Sequence, residues 1–194
     1  AVERLMHDHP DWAVLTGTVI LDGVRGEGYT YKDALAALGA AEVPSEPSPA
    51  PTLGAYGCNM IVRASMIGDS RFDTNLPLYG WQEDIDFSVQ LSRRGKVVRA
   101  RNVLGVHLGT KKARSPGRRL GYSQIANPLY LVRKGTMPAA FARRLIVHNL
   151  AGNLVHFVSP EPYVDRRGRL AGNLLALADL VRGKMHPTRI LSFK

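Results

Sequence analysis

Ala13-Val14-Leu15-Thr16-Gly17-Thr18-Val19-Ile20-Leu21, closed by Asp22-Gly23, is the stretch on which the fold class turns. It is a short run of apolar and β-branched residues bounded by a turn pair, which reads as a buried strand. Before it, residues 1–9 read as the end of a helix closed by His9-Pro10. After it, residues 31–38 suggest a short helix, and residues 39–53, with Pro44, Pro47, Pro49 and Pro51 among Ser, Ala and Glu, have the composition of a mobile loop. Residues 55–62 read as a second strand, and residues 96–100 and 103–107 as two more short ones. Helical patterns follow over 120–133, 139–157 and 170–182, with Pro160, Pro162 and Gly168 between the last two. Strands and helices thus alternate up to about residue 107 and the remainder is helical, which predicts an α/β sheet followed by C-terminal helices. There is no internal repeat. No glycine-rich phosphate loop follows a strand, so the commonest nucleotide-binding device is missing.

The chain has 194 residues, enough for one domain with a sizeable core or most of a larger one. A single cysteine, Cys58, excludes an internal disulfide and suits a reducing compartment; it reads as a small buried residue. No apolar run approaches the roughly 18 residues of a membrane span. The start, Ala1-Val2-Glu3-Arg4-Leu5-Met6-His7-Asp8, lacks the basic and apolar regions of a signal peptide. A cytoplasmic location is expected, including a peripheral one at the inner face of the cell membrane. The net charge of +10 conceals an asymmetry: residues 1–97 carry 8 Lys/Arg against 13 Asp/Glu, and residues 98–194 carry 18 against 3. A half so basic suits anionic lipid headgroups, nucleic acid or the phosphates of a small substrate.

Chemistry concentrates in Trp81-Gln82-Glu83-Asp84-Ile85-Asp86-Phe87. The residues that follow, as far as Arg93 and Arg94 before the stop at Gly95, fit a helix of about three turns. Glu83 and Asp84 then fall at its N-terminus, where free N–H groups and the dipole favour negative charge. A carboxylate held there stays ionised at neutral pH and can take a proton from a substrate hydroxyl. Capping the helix is the alternative role. Trp81 either belongs to the site or fills core. The basic loop Gly109-Thr110-Lys111-Lys112-Ala113-Arg114-Ser115-Pro116-Gly117-Arg118-Arg119 is either a solvated surface or a phosphate clamp, with Arg118 and Arg119 the better clamps because a guanidinium binds phosphate bidentately.

Taken in order, Gly57-Cys58-Asn59-Met60 with Arg63, Phe72-Asp73, Tyr79-Gly80-Trp81-Gln82-Glu83-Asp84-Ile85-Asp86-Phe87, Leu91, Arg94-Gly95 and Val106-His107 resemble the acceptor-side half of a family 2 glycosyltransferase of the GT-A fold. The resemblance covers residues 1–135 and implies a partial, Rossmann-like nucleotide-diphospho-sugar transferase sheet. It implies inverting transfer of a sugar from a nucleotide-diphosphate donor to a saccharide or lipid-linked acceptor. Asp84 would be the catalytic base and Glu83 would orient the acceptor. Asn59 and Trp81 would bind substrate, Arg118 and Arg119 the diphosphate, and Asp86 would support the site. His107 would complete a site for a divalent metal. Imidazole with carboxylate suits Mn²⁺, whereas Mg²⁺ prefers oxygen ligands. His7, His9, His148, His156 and His186 show no ligand spacing.

The family's donor half, with its first βαβ unit and its Asp-x-Asp motif, has no counterpart in these residues. The expectation is therefore a glycosyltransferase fragment without transfer activity of its own, with residues 136–194 as a helical extension. Phe141, Leu145, Ile146, Leu150, Leu154 and Val155 beside Arg143 and Arg144 make an apolar and basic face suited either to an anionic membrane surface or to packing on the domain. The alternative to an enzyme is a non-enzymatic basic module on anionic membrane or nucleic acid. Few aromatics are interleaved with the charges, so nucleic acid is not the expected partner.

Overall fold

A computed structural model describes residues 2–24, 26–109 and 116–193. The chain is mixed α/β and folds into two compact units, the first made of Ala1–Phe72 with Phe87–Ala113, the second of Asp73–Asp86 with Arg114–Lys194. These boundaries do not follow the division at 135/136.

The first unit is built on an open four-stranded mixed sheet. Its strands are β1 (Trp12–Asp22), β2 (Ala50–Pro51), β3 (Met60–Val62) and β4 (Lys96–His107), in the order β2-β4-β1-β3. β4 runs parallel to β1 and brings Asp22 opposite His107, while β3 and β2 pair antiparallel on the outer sides of β1 and β4. The first six residues of β1 are all buried, as a central strand covered on both faces requires. One cluster packs Ala13 and Val14 with Phe87, Leu91 and Val97; another gathers Trp12, Leu15, Val98, Ala100 and Val103. The edge strands are short, which limits unpaired edge.

Three elements depart from expectation. The two short strands over 96–107 are one continuous strand whose pairing with β1 shifts register, since Ala100 and Val103 both still reach core. The strand over 55–62 shrinks to β3, because Gly57–Asn59 closes a 3-10 turn instead. Within the proline-rich loop, Ala50–Pro51 pairs with β4 through Arg99 and Val98. The helices α1 (Val2–Asp8) and α2 (Tyr31–Ala40) match expectation. α2 starts in a capping box, with Thr30 Oγ1 accepting from Asp33 N and Asp33 accepting from Thr30 N. Arg63 holds the end of α1 and the chain after it, donating to the carbonyls of Met6, His9 and Trp12. Cys58 is exposed rather than buried, since it lies in that 3-10 turn.

Helix α3 (Glu83–Leu91) has its first four residues in the second unit and the rest in the first. The second unit otherwise consists of α4 (Gly117–Lys134), α5 (Ala139–Val155), α6 (Arg166–Val181) and a 3-10 segment, Pro187–Ser192. α4 and α6 approach closely at glycines: a Cβ on Gly121 would lie 2.0 Å from the Arg169 carbonyl oxygen, and one on Gly172 would lie 2.1 Å from that of Arg118. Tyr122, Ile125, Ala126 and Ala176 form the core beside them, closed by Met185, Ile190 and Phe193. Among the described residues no helix is long and apolar enough to cross a membrane.

Candidate functional site

In the second unit, the segment from 73 to 86 is anchored at both ends. Leu76 and Ile85 pack with Leu131, Met137 and Ala142. Lys134, in the last turn of α4, places Nζ 2.6 Å from Asp73 Oδ2 and 2.8 Å from Asp86 Oδ2. Tyr130 Oη donates to the same Asp73 oxygen at 2.8 Å, and Asn75 N donates to Asp73 Oδ1 at 2.9 Å. Burial pushes the Asp73 carboxyl up, but the hydrogen bonds from Lys134, Asn75 and Tyr130 outweigh it and hold it down at about 2. Burial likewise works against the Lys134 ammonium, and the two carboxylates overcome it and raise its pKa. In the middle, Asn127 Nδ2 donates to the Trp81 carbonyl at 2.9 Å.

Between these anchors the backbone turns three times through the left-handed region, at Leu78 (φ 62°), Gly80 (φ 68°) and Gln82 (φ 79°). Glycine adopts this freely; Leu78 and Gln82 each bear a cost of roughly 1–2 kcal/mol. The sequence of turns ends where α3 begins, with Glu83 N donating to Gly80 O and Asp86 N to Gln82 O, both at 3.1 Å. Glu83 and Asp84 therefore occupy the first turn of α3, both half-buried. Asp84 Oδ1 accepts from Ile85 N at 2.8 Å. Burial raises the Glu83 carboxyl, a hydrogen bond from its own backbone opposes this, and the neighbouring Asp84 charge raises it further. The pair thus sets an acid with an elevated pKa beside Asp84, an arrangement suited to general acid–base work.

Asp86 is 0% exposed, with its carboxylate on Lys134, so it holds the segment from beneath and does not face solvent. Trp81 and Arg119 line one small recess with Pro77, Tyr79, Leu120, Ser123 and Ile190. Arg118 and Arg119 belong to the first turn of α4, which starts at Gly117 and not at 120. Arg119 donates to the Phe193 carbonyl at 2.5 Å and the Arg118 guanidinium lies 5.1 Å from the Phe193 ring centre, so both hold the C-terminal segment. Lys111, Lys112 and Arg114 of the expected basic loop lie outside the described residues.

In the first unit, β1 and β4 end side by side and set a polar cluster at their C-terminal ends. His107 Nδ1 lies 2.9 Å from Asp22 Oδ1 and 3.0 Å from Tyr56 Oη, and Tyr56 Oη donates to Asp22 Oδ2 at 3.2 Å. Both Asp22 oxygens accept, so the proton between the ring and Asp22 Oδ1 is on Nδ1. In the neutral ring this leaves the lone pair on Nε2. Asp22 is held below its ordinary carboxylate value: burial opposes, and hydrogen bonds from Val24 N, His107 and Tyr56 prevail. Asn59 lies on the face of β4 that His107 shares two residues on, in space that Gly17 and Gly105 leave open. Its Nδ2 is buried without a hydrogen-bond partner among the described residues, while its backbone carbonyl accepts from Thr16 Oγ1 at 2.7 Å.

The structure thus groups Glu83, Asp84, Asp86, Trp81, Arg118 and Arg119 in the second unit, and Asn59 and His107 in the first. Among the described residues no set of three or more His, Cys, Asp or Glu gathers as a metal site. His107, backed by Asp22, offers at most one imidazole nitrogen. Asp22, Tyr56 and Lys134 escaped the sequence reading. A polar residue closing each of two strands was the only signal for Asp22, and for Tyr56 and Lys134 there was none. Compared with family models, curated proteins and solved structures, the chain gives no match.

Proposed function

We propose that this chain is the acceptor-side half of an inverting, GT-A type glycosyltransferase, with Asp84 as its base. The observation that carries the reading is the anchored, left-handed segment before α3, which delivers Glu83 and Asp84 together at a helix start. Costly backbone maintained by a buried ion cluster beneath two adjacent acids is the pattern of a site rather than of a plain cap. The mixed sheet with His107 at the end of a parallel strand is compatible with the Rossmann-like part of such a fold.

In this reading Asp84 accepts the proton of the acceptor hydroxyl as its oxygen attacks the anomeric carbon. The bond to the diphosphate breaks on the opposite face, which inverts the centre. Glu83 orients the acceptor, with Trp81 as its platform. Arg118 and Arg119 are the cations of the second unit for diphosphate, a role that requires them to exchange their contacts to Phe193. A divalent ion would supply charge neutralisation at the leaving phosphates, and His107 Nε2 is this chain's candidate ligand to it. In this reading the described residues meet the donor only at its diphosphate, and its nucleoside is recognised elsewhere. The test is Asp84→Asn in an enzyme assembled with a donor half. Transfer should fall by about 10²-fold or more with donor binding unchanged; transfer at the parent rate would refute the assignment.

A further inference from the structure

α5 packs one apolar side against core and leaves a second apolar stripe facing outward. Val147, Leu154 and Val155 are 60%, 62% and 74% exposed, and Val158, just past the helix end, is 82% exposed. Spacings of seven and eight residues put Val147, Leu154 and Val155 on one face, and Arg143 and Arg144 occupy the same face one turn earlier. The opposite side is the packed one: Ala142 and Asn153 are buried and Leu145 and Ile146 pack against core. Large aliphatic side chains aligned in water along one helix face mark a contact surface.

The charge around it selects the kind of surface. Residues 139–194 carry nine Lys/Arg against three Asp/Glu. Two of those acids are occupied within the unit, Glu161 by Arg166 at 2.6 Å and Asp179 by Arg189 at 3.4 Å. Arg167 stands over the Phe157 ring at 5.7 Å, setting a cation beside an aromatic at the apolar end. Exposed aliphatics rimmed by arginines, with no helix among the described residues able to span, suit the boundary between headgroups and acyl chains of an anionic bilayer.

We infer that the outer face of α5 is a membrane-docking surface, with Val147, Leu154, Val155 and Val158 entering the acyl boundary and Arg143 and Arg144 meeting anionic headgroups. This stands independently of the glycosyltransferase reading, since it requires no catalysis.

The test is co-sedimentation of the full chain with vesicles of neutral lipid alone and of neutral lipid with roughly a third anionic lipid. The expected result is binding to the anionic vesicles that weakens as salt rises. Leu154→Asp/Val155→Asp should lose at least about tenfold in partitioning, because two apolar side chains no longer enter the bilayer. Arg143→Gln/Arg144→Gln keeps the apolar face and should lose the preference for anionic lipid; it serves also if the first variant folds poorly by circular dichroism. Equal binding by both variants, or no vesicle binding by the folded parent chain, overturns the proposal. So does a parent dimer that the Asp variant renders monomeric in light scattering, which would assign the face to a second copy. Tighter binding to an oligonucleotide than to the anionic vesicles would assign it to nucleic acid instead and overturn the proposal equally.

Discussion

Replacing Lys134 with Met removes the ammonium set between Asp73 and Asp86 while keeping most of the side chain's length and its packing. Asp86 has no exposed surface and the Asp73 side chain is 9% exposed, so neither charge can be recovered by water. Removing one partner of a buried ion cluster typically costs about 3–5 kcal/mol, because an uncompensated charge stays behind. Asp73 alone gives a second figure. Its displacement from 3.8 to about 2 corresponds to about 2 kcal/mol of native-state stabilisation, an amount in which Tyr130 and Asn75 share. A depressed carboxyl contributes stability that is fully present above its unfolded value and lost as pH falls through its folded one. The parent chain should therefore lose this contribution between about pH 4 and pH 2. Lys134→Met, which lacks most of it, should lose less. Urea unfolding followed by far-UV circular dichroism at neutral pH and near pH 3 measures both. The expected outcome is a deficit of about 3 kcal/mol at neutral pH that narrows in acid, with Asp86→Asn in the Lys134→Met background restoring part of it. A deficit below about 0.5 kcal/mol at neutral pH, or one indifferent to pH, would refute the reasoning.

Three further outcomes follow from the same geometry. Glu83→Gln should raise thermal stability slightly, by less than about 1 kcal/mol, at neutral pH. Burial and the Asp84 charge raise the Glu83 carboxyl, so its ionised form weakens the fold above the folded pKa, and the gain should vanish in acid, where the parent residue is already protonated. Gly121→Val should cost about 3 kcal/mol or more in urea unfolding, since the new Cβ meets the Arg169 carbonyl at 2.0 Å and α4 and α6 cannot both stay in place. Asp22→Ala should release the His107 ring: nitrogen-15 imidazole spectra should show Nδ1–H as the main neutral form in the parent chain and a shift toward Nε2–H in the variant, and identical spectra would remove Asp22 as the orienting group.

Local rules made much of the fold legible. β1 could be read from its β-branched run and the closing Asp22-Gly23, and α3 from three acids before an apolar run, because each depends on neighbours within a turn or two. The strand suggested over residues 55–62 is shorter than its composition implies for the same reason. Apolar residues around Ala55 and Met60 look extended in isolation, and only the 3-10 turn between them, held by Asn59 N to Tyr56 O, shows otherwise. In the site, Glu83 and Asp84 were legible as a helix start. The twist of the backbone that delivers them was not, since Leu78 and Gln82 are residues that seldom adopt positive φ.

What the sequence alone determined is the α/β class, the helical C-terminal part, the charge asymmetry and the position of the acids at the start of α3. Each is a matter of composition or local periodicity. Tertiary structure decided the partnerships. Asp86 meets Lys134 across 48 residues and Asp22 meets His107 across 85, separations over which spacing carries no information until strand register and helix packing are set. It also decided which side of α5 faces water. That helix is apolar on more than one side, so its pattern could announce a buried stripe without saying whether Ile146 or Val155 belongs to it; only the packing of Leu145 and Ile146 against core left Val147, Leu154 and Val155 outside.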